Sequence, residues 1–199
     1  MLEYIAHRIN TIEELMLVPK QCGVEVDIRD YAEKLILQHD PFLDGEDFET
    51  YLKHYDHGTM ILNIKSERIE YKVLELLKKC NIKKYFFLDC SFPMIYSLSN
   101  IGENNLAIRL SEFEGMDTIF NMKTKVSWVW IDCFTRLPIT IDNFSKLKEL
   151  GMKLCLVSPE LQGQEEKIHE YKKYLNENNI NLDAICTKIY NMDKWKKIQ

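Results

Sequence analysis

The sequence predicts an α/β protein of the compact (β/α)8 TIM-type barrel class, a single domain over residues 1–199. Three observations lead there. Short apolar strand candidates recur eight times along the chain. Helix-like stretches separate them, and alternating strands and helices form parallel sheets joined by right-handed crossovers. After the first strand comes HRINTIEEL, which lacks glycine, so the dinucleotide fingerprint of an open doubly wound sheet is absent.

In order, the strand candidates are EYIAHR, GVEVDIR, GTMILNIK, KKYFFLD, NLAIRLS, VSWVWIDC, MKLCLVS and LDAICTK. Each is short, rich in β-branched or aromatic residues, and flanked by polar residues. Helices are expected in TIEELMLVPKQ, EDFETYLKHY, SERIEYKVLELLKKC, FPMIYSLSN, EGMDTIFNM, DNFSKLKELG and QEEKIHEYKKYLNENN, with a short last one in IYNMDKWKK. The clearest is SERIEYKVLELLKKC. Ile69, Val73, Leu76, Leu77 and Cys80 recur at helical spacing and make one apolar face. Ser66 is the expected N-cap there, and Lys78 and Lys79 suit the negative end of the helix dipole. In DNFSKLKELG, Asp142 is the expected cap and Gly151 the stop.

A hydrophobic fraction of 46% supports a full core. The net charge of −5 gives no basic footprint for nucleic acid. None of the six cysteines forms a C-x-x-C pair, and each lies in or beside an apolar run, as buried reduced thiols do. No apolar run approaches the ~20 residues of a membrane span, and MLEYIAHRIN does not read as a signal peptide. A soluble, cytoplasmic protein is expected.

Functional residues of a barrel come from the C-terminal ends of its strands. Here those ends carry His7-Arg8, Glu25 with Asp27, Asn63 with Lys65, Asp89 and Asp132. Glu25 and Asp27 are two apart in a strand, so both side chains share one face while Val24, Val26 and Ile28 take the other. If the aliphatic face meets helices, the acids point inward, where an unpaired carboxylate is costly. A divalent cation with oxygen ligands would remove that cost. Shortly after, the apolar run LILQ delivers His39-Asp40-Pro41. Trp128, Trp130 and Tyr190 are candidates to line a pocket, although aromatic residues in strands more often belong to the core.

Taken in order, AHR, then NT before a helix, Glu-x-Asp on a strand, HDP, and a strand ending Asn-Ile-Lys resemble the glycerophosphodiester phosphodiesterases, relatives of the phosphatidylinositol-specific phospholipases C. The motif resemblance is concentrated in residues 4–65. It implies that His7 and His39 are the catalytic acid and base, that Arg8 and Lys65 bind the phosphate, and that Glu25, Asp27 and Asn63 hold one cation, Mg²⁺ or Ca²⁺. The implied substrate is a small-molecule or polymeric phosphodiester, attacked by its own neighbouring hydroxyl to give a cyclic phosphate that water then opens.

Three departures from the family pattern matter. Asn63 stands where the family usually has Glu, and Asp89 is the candidate to supply the missing carboxylate. Ile9 replaces the glycine of HRG, so the first loop needs another path. The segment between His39 and the third strand leaves room for one helix, so the site is expected to be open. A catalytically silent phosphate-binding barrel is the alternative function. A metal-independent cyclising lyase is a third reading, disfavoured by Glu25 and Asp27.

Overall fold

The computed structural model describes residues 2–196. All eight expected strands are present: β1 (Glu3–Ala6), β2 (Gly23–Tyr31), β5 (Met60–Ile64), β6 (Tyr85–Leu88), β7 (Ala107–Leu110), β8 (Trp128–Ile131), β9 (Lys153–Val157) and β10 (Ala184–Thr187). Two short strands, β3 (Lys34–Leu37) and β4 (Glu46–Asp47), are additional. The expected helices form α1 (Ile12–Leu15), α2 (Phe48–Leu52), α3 (Glu70–Lys79), α4 (Phe92–Asn100), α5 (Met116–Met122), α6 (Ile141–Glu149), α7 (Ile168–Glu177) and α8 (Met192–Trp195). The protein is therefore α/β, with a mixed rather than purely parallel sheet, because β3 and β4 pair antiparallel.

Two compact units divide the chain: Ile5–Leu106, and Ala107 onward together with the residues before Ile5. In the first, β1 pairs β2, β2 pairs β5 and β5 pairs β6, all parallel. Beyond the reach of β1, the far half of β2 turns back on β3, from Ile28 opposite Leu37 to Tyr31 opposite Lys34. Close approach at the start of β2 requires glycine, since a Cβ on Gly23 would collide with the Thr59 carbonyl oxygen. The core is apolar and complete, with Val24, Val26, Ile28, Phe48, Tyr51, Ile61, Leu62 and Phe86 buried.

In the second unit β7, β8, β9 and β10 pair in sequence, all parallel. The Glu3 N–H donates to the Asp183 carbonyl at 3.0 Å. Trp128 and Trp130 are core residues, with the Lys153 ammonium 5.3 Å from the Trp128 ring, while Tyr190 is exposed.

Helix ends follow local chemistry, with two changes from the sequence reading. Ser66 does not cap α3: the helix starts later, behind Ile69, and the Ser66 hydroxyl accepts from the Asp30 N–H at 3.3 Å. Thr140, not Asp142, caps α6 by accepting the Asn143 N–H at 3.2 Å. Asp142 lies one step inside, where its charge still favours the helix N-terminus and meets Lys146 at 2.7 Å. Gly151 ends α6 as expected, at φ +72°. Thr11 and Glu14 form a reciprocal capping box on α1. All six cysteines are free thiols, and Cys22, Cys133, Cys155 and Cys186 are buried. No described helix is long and apolar enough to cross a membrane.

Candidate active site

All the residues singled out by the motifs lie within Ile5–Leu106, at the C-terminal ends of β1, β5 and β6, inside β2, and on the loop after β3. Glu25 and Asp27 are buried to 1% and 0% exposure, and Val24, Val26 and Ile28 are buried on the opposite face. Strand alternation thus places both carboxylates on one side, as the sequence indicates.

Both carboxylates are surrounded by donors. Glu25 Oε2 accepts the Arg8 backbone N–H at 2.7 Å, and Glu25 Oε1 accepts the Asn63 Nδ2–H at 2.8 Å. His7 Nε2 is 3.8 Å from Glu25 Oε2. Asp27 is flanked by Arg8 Nε and Lys65 Nζ, each at 3.4 Å. Burial, and then the neighbouring Asp27 charge, push the Glu25 carboxyl up to about 7, against the pull of the Asn63 amide, the Arg8 N–H and Lys65.

The first loop solves the problem set by Ile9 in an unexpected way. The left-handed residue is Arg8, at φ 56°, rather than Ile9. Ile9 is a core residue at 5% exposure; its N–H donates to the Glu25 carbonyl, and its own carbonyl accepts the Tyr51 hydroxyl at 2.9 Å. A non-glycine residue in this region costs about 1–2 kcal/mol. The turn directs the Arg8 N–H at Glu25 and leaves the guanidinium 43% exposed.

Asn10 is a site residue whose role sequence reasoning did not extract. Its Oδ1 accepts the Asp27 backbone N–H at 2.8 Å, and its Nδ2–H donates to Asp27 Oδ2 at 2.9 Å. The NT pair that precedes α1 is the signal, although by itself it points only to a helix start.

His39 stands one residue beyond the backbone link between its loop and this cluster. The Gln38 N–H donates to the Asp27 carbonyl at 2.9 Å, so the loop continues the edge of β2. The His39 ring meets Asp40, with Nδ1 2.7 Å from Oδ1, and that bond holds the Asp40 carboxyl below its ordinary range. Engaging Nδ1 leaves Nε2 as the free edge of the ring. Asp89 approaches the cluster at Lys65, with its Oδ2 3.9 Å from Lys65 Nζ.

Among the described residues, no three His, Cys, Asp or Glu side chains converge as a metal-binding group. The set Glu25, Asp27 and Asn63 nonetheless fits a hard cation. All its donor atoms are oxygens, and the buried Asn63 Oδ1 and Asp27 Oδ1 accept no hydrogen bond.

No family model and no curated protein matches the sequence. Solved structures do match the fold. A glycerophosphodiester phosphodiesterase from Agrobacterium tumefaciens aligns with a TM-score of 0.68 and 16% identity, over 94% of this chain and 96% of that one. A glycerophosphoryl diester phosphodiesterase from Parabacteroides distasonis aligns with a TM-score of 0.58 and 11% identity, over 92% of this chain and 81% of that one. The resemblance carried by the short motifs in the first third of the sequence thus extends to the path of nearly the whole chain, which has the fold of the glycerophosphodiester phosphodiesterase structures.

Proposed function

We propose that this chain is a phosphodiesterase of the glycerophosphodiester type, built as one closed (β/α)8 barrel. It converts a glycerophosphodiester-like substrate to a phosphomonoester and an alcohol. The observation that carries this reading is the cluster around the buried acid pair: a histidine, an arginine and a lysine converge on Glu25 and Asp27 within 3.8 Å. The fold likeness over 94% of the chain supports the barrel and the reaction class.

A phosphodiester resists nucleophiles because it is an anion. Arg8 and Lys65 would bind its non-bridging oxygens and stabilise the charge that builds in the transition state. Glu25, Asp27 and Asn63 would hold one divalent cation, Mg²⁺ or Ca²⁺, which supplies further neutralisation at phosphorus. His39, with Nδ1 bound to Asp40, offers Nε2 to take the proton of the attacking hydroxyl. His7, whose Nε2 lies 3.8 Å from Glu25 Oε2, gives a proton to the leaving alkoxide. When the nucleophile is the neighbouring hydroxyl of the substrate, the product is a cyclic phosphate. Water then opens the ring, with the two histidines exchanging roles.

The test is release of a phosphomonoester from glycerophosphodiesters with different alcohols, first with Mg²⁺ or Ca²⁺ and then with EDTA. Turnover is expected to need the cation and to disappear in His7→Ala and His39→Ala with the fold intact. Wild-type rates in either variant would overturn these roles. Asn63 in place of a third carboxylate favours a second reading, a silent phosphodiester-binding barrel. It would give calorimetric binding of the phosphodiester without product.

A further inference from the structure

We propose that Arg29 is a positioning residue for His39, holding the catalytic loop through its main chain. This inference rests on the role proposed for His39.

Arg29 is on β2, two residues beyond Asp27, at the point where the strand leaves β5 and enters the hairpin with β3. Its Nη2–H donates to the His39 carbonyl at 2.9 Å and its Nε–H to the Gln38 carbonyl at 3.2 Å. Among the described residues it makes no ion pair. A half-buried guanidinium usually meets a carboxylate, whose planar shape matches its fork. Here the fork instead grips two successive carbonyls, one belonging to the proposed base and the other to the residue before it. The register explains why. Strand pairing ends where Ile28 faces Leu37, and the Gln38 N–H still reaches the Asp27 carbonyl. The carbonyls of Gln38 and His39 lie past that point and would have no strand partner.

The same loop is fixed from its other side by Gln38. Its Nε2–H donates to the Asp44 carbonyl at 3.1 Å, and its Oε1 accepts the Asp40 N–H at 3.3 Å. Hydrogen bonds thus hold the loop that carries the histidine from both sides. Among the described residues Arg29 is the one charged donor to this loop, and hydrogen bonds from charged donors are roughly twice as strong as neutral ones. Its charge also helps keep Asp40 ionised, and Asp40 orients the imidazole. One residue thus acts on His39 through its backbone and through its side-chain partner.

The experiment compares wild type with Arg29→Met, which keeps the stem and loses the donors, and Arg29→Lys, which keeps the charge and loses the fork. Turnover and the imidazole signals of isotope-labelled histidine are both measured; the chain has five histidines, so His39 is assigned with His39→Gln. Arg29→Met is expected to lower kcat by about 10–100-fold with KM nearly unchanged, as for a displaced catalytic group. The His39 tautomer and line width should change while the His7 signal stays in place, and Arg29→Lys should recover part of both effects. Wild-type kcat together with an unchanged His39 signal in Arg29→Met would overturn the inference. So would equal displacement of His7 and His39, since that marks general loosening. If wild type shows no turnover on any phosphodiester, the functional reading fails, and the imidazole signals alone still decide whether Arg29 holds His39.

Discussion

Asn63→Asp is the substitution that most directly tests the cation reading. In the wild type, the Asn63 Nδ2–H donates to Glu25 Oε1 at 2.8 Å, with the two side chains at 8% and 1% exposure. Aspartate has nearly the same shape, yet it removes the donor and sets a second acceptor in its place. The lost hydrogen bond to a charged group contributes about 1.5–3 kcal/mol. Two carboxylates that close cannot both ionise, so one takes up a proton and restores part of the contact. The expected net loss is ~2 kcal/mol, which lowers Tm by roughly 4–8 °C for a chain of this length.

A divalent cation should reverse the comparison, because a third anionic ligand binds it more tightly than an amide does. A ligand present at a hundred times its Kd, and bound only to the folded state, adds about 2.7 kcal/mol. The assay is thermal unfolding of both proteins in EDTA and in saturating Mg²⁺ or Ca²⁺. The variant should melt below wild type in EDTA and gain more than wild type from the cation. Equal gains in the two proteins would refute the reasoning, and so would an undiminished Tm in EDTA.

Two further substitutions probe the frame around the site. Tyr51 is fully buried and its hydroxyl holds the Ile9 carbonyl; Tyr51→Phe should cost about 1–2 kcal/mol in urea unfolding, and an unchanged midpoint would show that the tether contributes nothing. Glu70 opens α3 at 0% exposure, and burial pushes its carboxyl above the ordinary 4.5. A raised carboxyl adds stability that is fully present below its unfolded value and is lost as pH rises through its folded value. Glu70→Gln should therefore gain stability relative to wild type at pH 7 compared with pH 4, as read by chemical denaturation. The same difference at both values would sink that account.

Much of this fold is legible because strand and helix periods are strong local signals. The centres of VSWVWIDC and MKLCLVS, WVWI and LCLV, are apolar throughout, as strands covered on both faces must be. The β2–β3 hairpin was not legible. Its turn uses Ala32 at φ 53°, where glycine or asparagine would have announced it, and LILQ alone looks like any short apolar run. The Ser66 and Asp142 assignments failed because cap-forming residue types are common, and tertiary contacts choose among them. At the site, Glu25 and Asp27 could be read from alternation, which is local. Arg29 could not, since nothing in its neighbours shows that its fork will meet carbonyls nine and ten residues away.

Charge at the site leads to a last expectation. Arg8 and Lys65 each stand 3.4 Å from Asp27, so the cations proposed to bind phosphate are already engaged with a buried carboxylate. A phosphodiester arriving alone must compete with Asp27 for both, and its own charge adds to those of the two acids. A divalent cation held by Glu25 and Asp27 would offset the acids and leave Arg8 and Lys65 to the substrate. Cation and phosphodiester should then bind with positive coupling, about 5–150-fold in either direction because linkage is reciprocal. Calorimetric titration of the His39→Ala variant with a glycerophosphodiester, with and without Ca²⁺, measures it. Affinity that Ca²⁺ leaves unchanged would mean that Arg8 and Lys65 serve Asp27 and the phosphate at once. The acid pair would then be a structural anchor for the two cationic side chains rather than a cation site.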